Sequence, residues 1–121
     1  MELLNIAGQD YGGYVLARTG LKYTFEERGS VEIITAAGGI YHRYAARKRK
    51  ITVYLDMVPE DMLDVLESDM AADSFAVRYR EGGRDQTGIF TLDPSGVSSS
   101  AAVIMGGVLY FTGITFILRE V

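Results

Sequence analysis

Tyr41, His42, Arg43 and Tyr44 are followed, after two alanines, by Arg47-Lys48-Arg49-Lys50, four cationic residues in succession. Cations interleaved with aromatics are the residue types that contact a phosphate backbone and stack on bases. The same four cations entering a strand point alternately to opposite faces. There they pair with acidic residues of this chain or of a neighbouring subunit. His42 is the only histidine, and a general base needs a group that orients it. No carboxylate, serine motif or second histidine stands beside it, so packing or a surface place is the better reading. The chain has no cysteine, which excludes disulfides, thiolate metal sites and cysteine nucleophiles. Gly38-Gly39 and Gly82-Gly83 lack the Lys and Ser/Thr that would follow in a phosphate loop. Asp64, Glu67 and Asp69 fall at the spacing of a solvent face and not of a calcium loop. No catalytic residue, cofactor or metal is expected.

The elements that must carry the basic segment follow from periodicity. Leu21 to Arg28 alternates, with Leu21, Tyr23 and Phe25 on one face and Lys22, Thr24 and Glu26 on the other, as in a half-buried strand. Val31 to Thr35 reads as a further short strand, and 36–48 as a long loop or flexible hairpin. From Arg49 to Val58 the alternation returns, with Ile51, Val53, Leu55 and Met57 facing one side. Pro59 then opens a helix to about Ala72. Proline suits the first helical position, and Glu60 and Asp61 complement the positive end of the helix dipole. Met62, Leu63, Leu66 and Met70 recur at helical spacing, with Val65 flanking. Phe75 to Arg80 is a strand, 81–84 a hairpin turn, and Thr87 to Leu92 its partner. The run 93–96 is another turn, and 2–6 a short apolar strand ending in a glycine-rich turn.

The chain is 121 residues long, with 48% hydrophobic and 23% charged residues and a net charge of −4. That length and composition predict one domain, 1–121, with a real core, and the acidic balance argues against a general nucleic-acid binder. The N-terminus has no basic start and apolar stretch of a signal peptide, so expression in a cytoplasm is expected. From Pro94 to Leu118 there is not one charged residue. Length alone would allow a membrane span. Gly106-Gly107 sits in its middle, however, and Val108 to Phe116 is rich in β-branched and aromatic residues. Paired strands turning at the two glycines are the better reading. The second strand is predicted to run from Val108 to Arg119. Leu109, Phe111 and Ile117 would share one face, and Tyr110, Ile114, Phe116 and Leu118 the other. Both faces are apolar, so both are expected to be covered, by the core and by the helix or another subunit.

Four segments, in order, resemble a family of small phage and prophage proteins encoded among tail genes. They are Asn5-Ile6-Ala7-Gly8-Gln9-Asp10-Tyr11; Gly20-Leu21-Lys22-Tyr23; His42-Arg43 through Lys48-Arg49-Lys50-Ile51-Thr52-Val53; and Tyr110-Phe111-Thr112-Gly113-Ile114-Thr115-Phe116-Ile117-Leu118-Arg119-Glu120. Tyr23 and Phe111 stand where the family has Trp, and 35–40 where it has an Asp-rich turn. The resemblance implies a structural role in a virion tail. It also implies a tail-tube or distal-tail fold, with a single flanking helix and a long loop reaching the next subunit.

The expected fold is mainly β (α+β by strict count), an antiparallel β-sandwich or partly closed barrel with one helix at about 59–72. The expected role is non-enzymatic tail assembly, in a homo-oligomeric ring or a stack with other tail proteins. Such a protein would occupy the host cytoplasm and then the virion tail. The candidate subunit interface is Tyr41, His42, Arg43, Arg47, Lys48 and Arg49. The alternative is a nucleic-acid-binding module using the basic 43–50 segment.

Overall fold

A computed structural model describes residues 3–15, 20–28, 31–34, 40–43, 46–81 and 83–121. Its strands are β1 (Leu4–Ile6), β2 (Gln9–Asp10), β3 (Leu21–Arg28), β4 (Val31–Ile34), β5 (Ile40–Arg43), β6 (Ala46–Leu55) and β7 (Val58–Pro59). The helix α1 (Glu60–Met70) follows. Then come β8 (Phe75–Glu81), β9 (Arg84–Leu92), β10 (Ala101–Met105), β11 (Val108–Thr112) and β12 (Ile114–Glu120). Among the described residues the molecule is mostly β, with one α-helix and a short 3-10 turn at Gly12–Tyr14, and the strand pairs are antiparallel.

A seven-stranded sheet runs in the order β2-β1-β8-β9-β12-β6-β3, and a three-stranded sheet in the order β10-β11-β7. β4 and β5 form a separate two-stranded ribbon. The large sheet is not closed into a barrel, and the arrangement is sandwich-like. Alternation decides which face is buried. Ile51, Val53 and Leu55 of β6 lie directly opposite Leu118, Phe116 and Ile114 of β12, and all six are buried. Leu4 and Ile6, Phe75, Val77 and Tyr79, and Phe90 continue that buried face across the sheet. Each such side chain contributes roughly 1.5–3 kcal/mol over an exposed one.

The helix packs on β7 and β11. It turns Leu63, Leu66 and Met70 into the core and leaves Val65 outside. Pro59 stands one position earlier than expected, as the N-cap with φ −60°, a value proline already imposes. The last turn ends at Met70, two residues short of the expected Ala72.

Three expectations are corrected. In place of the long loop or flexible hairpin expected over 36–48, the strand Ile40–Arg43 pairs antiparallel with β4 and β6 begins at Ala46, so the segment is not a loop, while 35–39 and 44–45 lie outside the described residues. Met57 does not continue the face of Ile51, Val53 and Leu55. It has φ 52°, a left-handed conformation that ends the strand and turns the chain into β7. The strand expected from Val108 to Arg119 is two strands belonging to different sheets, divided at Gly113 with φ 60°. A Cβ on Gly113 would press on the Ser100 side chain and sit at positive φ, so any other residue is strained at the crossing point.

Candidate functional site

The six candidate interface residues are split between two elements. Tyr41, His42 and Arg43 lie on β5, opposite Ile33, Glu32 and Val31 of β4. Arg47, Lys48 and Arg49 lie on β6, opposite Glu27, Glu26 and Phe25 of β3. For Tyr41, His42, Arg43 and Arg47 only the backbone is described. In the backbone register, Arg47 and Lys48 are thus paired with positions held by acidic residues of the same chain.

Arg49 is engaged inside the chain. Its Nη1 donates to the Tyr79 hydroxyl at 3.0 Å. Its Nε lies 3.1 Å from Glu81 Oε2 as an ion pair, off the direction of a hydrogen bond. Its backbone N–H donates to Glu120 Oε1 at 3.0 Å. The guanidinium lies 4.7 Å from the centre of the Phe25 ring and leaves only 20% of the side chain exposed. Planar, delocalised and weakly hydrated, guanidinium suits such a partly buried, multi-partner place. Nearby, the Tyr23 hydroxyl donates to the Arg80 carbonyl at 2.5 Å, and the Tyr23 and Tyr79 rings stand 5.7 Å apart. Burial, with the Glu81 carboxylate and Tyr79 adding to it and Arg49 opposing, pushes the Tyr23 phenol up to about 12.

Lys50 faces Thr24 across the ladder and contributes to the field around Asp93. Hydrogen bonds from the Ser95 side chain and backbone, aided by Arg119 and Lys50, hold the Asp93 carboxyl below its ordinary value. These partners were out of reach of sequence reasoning. Glu120, Glu81 and Tyr79 are remote from Arg49 along the chain and are brought to it only by strand order. Among the described residues no group of His, Asp and Glu could hold a metal ion, and no helix is long and apolar enough to cross a membrane.

A second feature is built from the uncharged run. β10 and β11 form a hairpin around Gly106-Gly107, with Met105 opposite Val108 and Ala101 opposite Thr112. Both glycines have positive φ, 58° and 79°, as a two-residue turn of type I′ requires. The inner strand β11 is half-buried, against β7 and α1. The outer strand β10 is exposed at every residue. Ile104 is 74% exposed, Met105 54% and Val108 44%. Of the strand expected to be covered by the core and by the helix or another subunit, the β11 part packs on β7 and the helix and is half-buried beyond Val108. The Gly-Gly pair marks this hairpin in the sequence.

Comparison with protein-family models, curated proteins and solved structures found no match.

Proposed function

We propose that this chain is a non-enzymatic structural protein of a phage or prophage tail, which assembles with copies of itself into a ring and stacks with other tail proteins. The observation that carries the assembly role is the β10–β11 hairpin, whose tip presents Ile104, Met105 and Val108 to water. Contiguous apolar surface of this kind marks an interaction site in a soluble protein. The tail assignment rests on the ordered resemblance. Its four segments fall on β1–β2, β3, β5–β6 and β11–β12, and β3, β6 and β12 are successive strands of the large sheet.

Ring contacts in this reading use the β5–β6 segment, with Arg43 and Arg47 meeting acidic residues of the next subunit. Arg49 is committed to its own chain and acts by holding that segment in place. A heterologous contact of this type closes into a ring only if its rotation closes. The protein would assemble in the host cytoplasm and end in the virion tail.

Sedimentation and light scattering across a concentration series test the proposal. Discrete oligomers that grow in population with concentration are expected, and a strict monomer at the highest soluble concentration would overturn it. Neighbouring genes test the tail assignment separately. Tail-tube, tape-measure or baseplate genes are expected, and a metabolic operon would sink it.

A further inference from the structure

We infer that β10 is a docking edge for the same strand of a second copy, joining two chains through an antiparallel pair centred on Val103. The inference rests on the assembly reading above and specifies one of its contacts.

β10 is the last strand of its sheet, paired with β11 alone among the described residues. In a two-residue hairpin, the residues flanking the turn exchange both backbone hydrogen bonds, and bonded pairs alternate from there. Met105, Val103 and Ala101 therefore bond to β11. Ala102 and Ile104 turn their N–H and C=O groups outward. An open row of this kind is a template for another strand, and proteins guard it with charge, proline or very short strands.

The other free edges carry such guards. β2 has two residues and ends in Asp10, β7 has two residues and contains Pro59, and β3 bears Lys22, Glu26, Glu27 and Arg28. Glu32 lies on β4 and Arg43 on β5. β10 reads Ala-Ala-Val-Ile-Met and carries no guard.

Charge points to a second copy as the occupant. An isologous contact sets each residue against its own kind or against one partner twice over, so a charged edge would place like charges together. The chain carries a net −4, and from Pro94 to Leu118 it carries none. Two copies meet here without repulsion. The register is self-consistent as well. With the two-fold axis at Val103, Ala102 faces Ile104 of the other copy, and Ile104 faces its Ala102. All outward N–H and C=O groups of these residues then find partners, and Ala101 faces Met105 along the full strand. The result is a continuous six-stranded sheet across two chains, with the exposed side chains of both hairpins side by side.

The chain has no cysteine, which makes the register directly testable. Val103 falls in a non-hydrogen-bonded pair with itself, at a Cα separation of about 4.5 Å, within the reach of a disulfide. Val103→Cys should give a disulfide-linked dimer on oxidation. Met105→Cys alone should not, and Ala101→Cys with Met105→Cys in one chain should. Ala102→Pro removes an outward N–H without touching the β11 ladder. It should weaken self-association at least tenfold with an unchanged circular dichroism spectrum. Self-association of the unmodified chain with no crosslink through Val103→Cys overturns the β10 contact and leaves the assembly reading standing. A strict monomer overturns both.

Discussion

The Tyr23 hydroxyl donates to the Arg80 carbonyl, tying β3 at one end of the large sheet to β8 near the other. Side chains thus bridge strands that the ladder leaves unpaired. Tyr79 meets Tyr23 on one side and sets its ring edge-on to Phe90 on the other, at 5.7 Å in each case. Arg49 adds its own link to Tyr79. The basic residue expected at an interface is thus part of the seam that shapes the sheet.

Arg49→Ala should lower stability by about 1.5–3 kcal/mol, the range for hydrogen bonds to charged groups. Glu81 and the Tyr79 hydroxyl would lose their shared partner, while the backbone N–H of residue 49 would still reach Glu120. Arg49→Lys should recover little, because an ammonium cannot reproduce the planar fork. Urea midpoints of the three proteins decide this. Equal stability of Arg49→Ala and the parent would return Arg49 to the surface.

Two tyrosine hydroxyls make opposite predictions. The Tyr11 side chain is buried and its hydroxyl has no hydrogen-bond partner among the described residues. Tyr11→Phe should be neutral or stabilising, since an unmet buried hydroxyl costs about 1–3 kcal/mol. Tyr23→Phe removes a made bond and should cost about 0.5–1.5 kcal/mol. Thermal melts of both variants provide the comparison.

Alkaline pH should unfold the protein earlier than ordinary tyrosines would. Burial raises Tyr11 to about 12, with Asp69 and Tyr14 adding, and Tyr23 also reaches about 12. In the unfolded chain both titrate near 10. The folded state therefore keeps protons that the unfolded state has lost, and stability falls as pH rises from 10 towards 12. Below 10 the contribution is complete. Denaturation midpoints between pH 8 and 12 should show this slope, flattened in Tyr11→Phe and Tyr23→Phe together.

Ala7 has φ 52° in the turn between β1 and β2, a conformation costing a non-glycine residue roughly 1–2 kcal/mol. Its N–H bonds the Ala76 carbonyl at 2.9 Å, so the turn is held in place. Ala7→Gly should raise stability by up to about 1 kcal/mol after the entropy of glycine is subtracted. Gly113→Ala should do the reverse, through collision with Ser100 and positive φ together. Melting temperatures of the pair test both signs.

Much of the fold was legible because period-2 patterns mark strands with one buried face. Ile51, Val53 and Leu55 announced β6, and Leu63, Leu66 and Met70 announced the helix. Positive φ broke the pattern where sequence gave no warning, at Met57 and at Gly113. Gly113 separates Thr112 from Ile114, both good strand formers, so the apolar run reads as unbroken. For Arg49 the sequence left pairing within the chain and pairing across subunits both open, and could not name the partners. A cation in a basic cluster looks exposed until the strand order places two carboxylates and a phenol beside it. The hairpin tip was legible as a turn from Gly106-Gly107 but not as an exposed one, because apolar composition alone does not say which strand lies at a sheet edge.

Gly113 joins the hairpin to β12 with no intervening loop. β12 is flanked on both sides, by β9 and β6. Tension applied to the hairpin therefore enters the large sheet through a strand laddered to β6 over Ile114–Arg119 and to β9 at Leu118–Glu120. The two ladders share that load in shear, and no slack segment absorbs it. Whatever grips the hairpin grips the mechanical centre of the molecule.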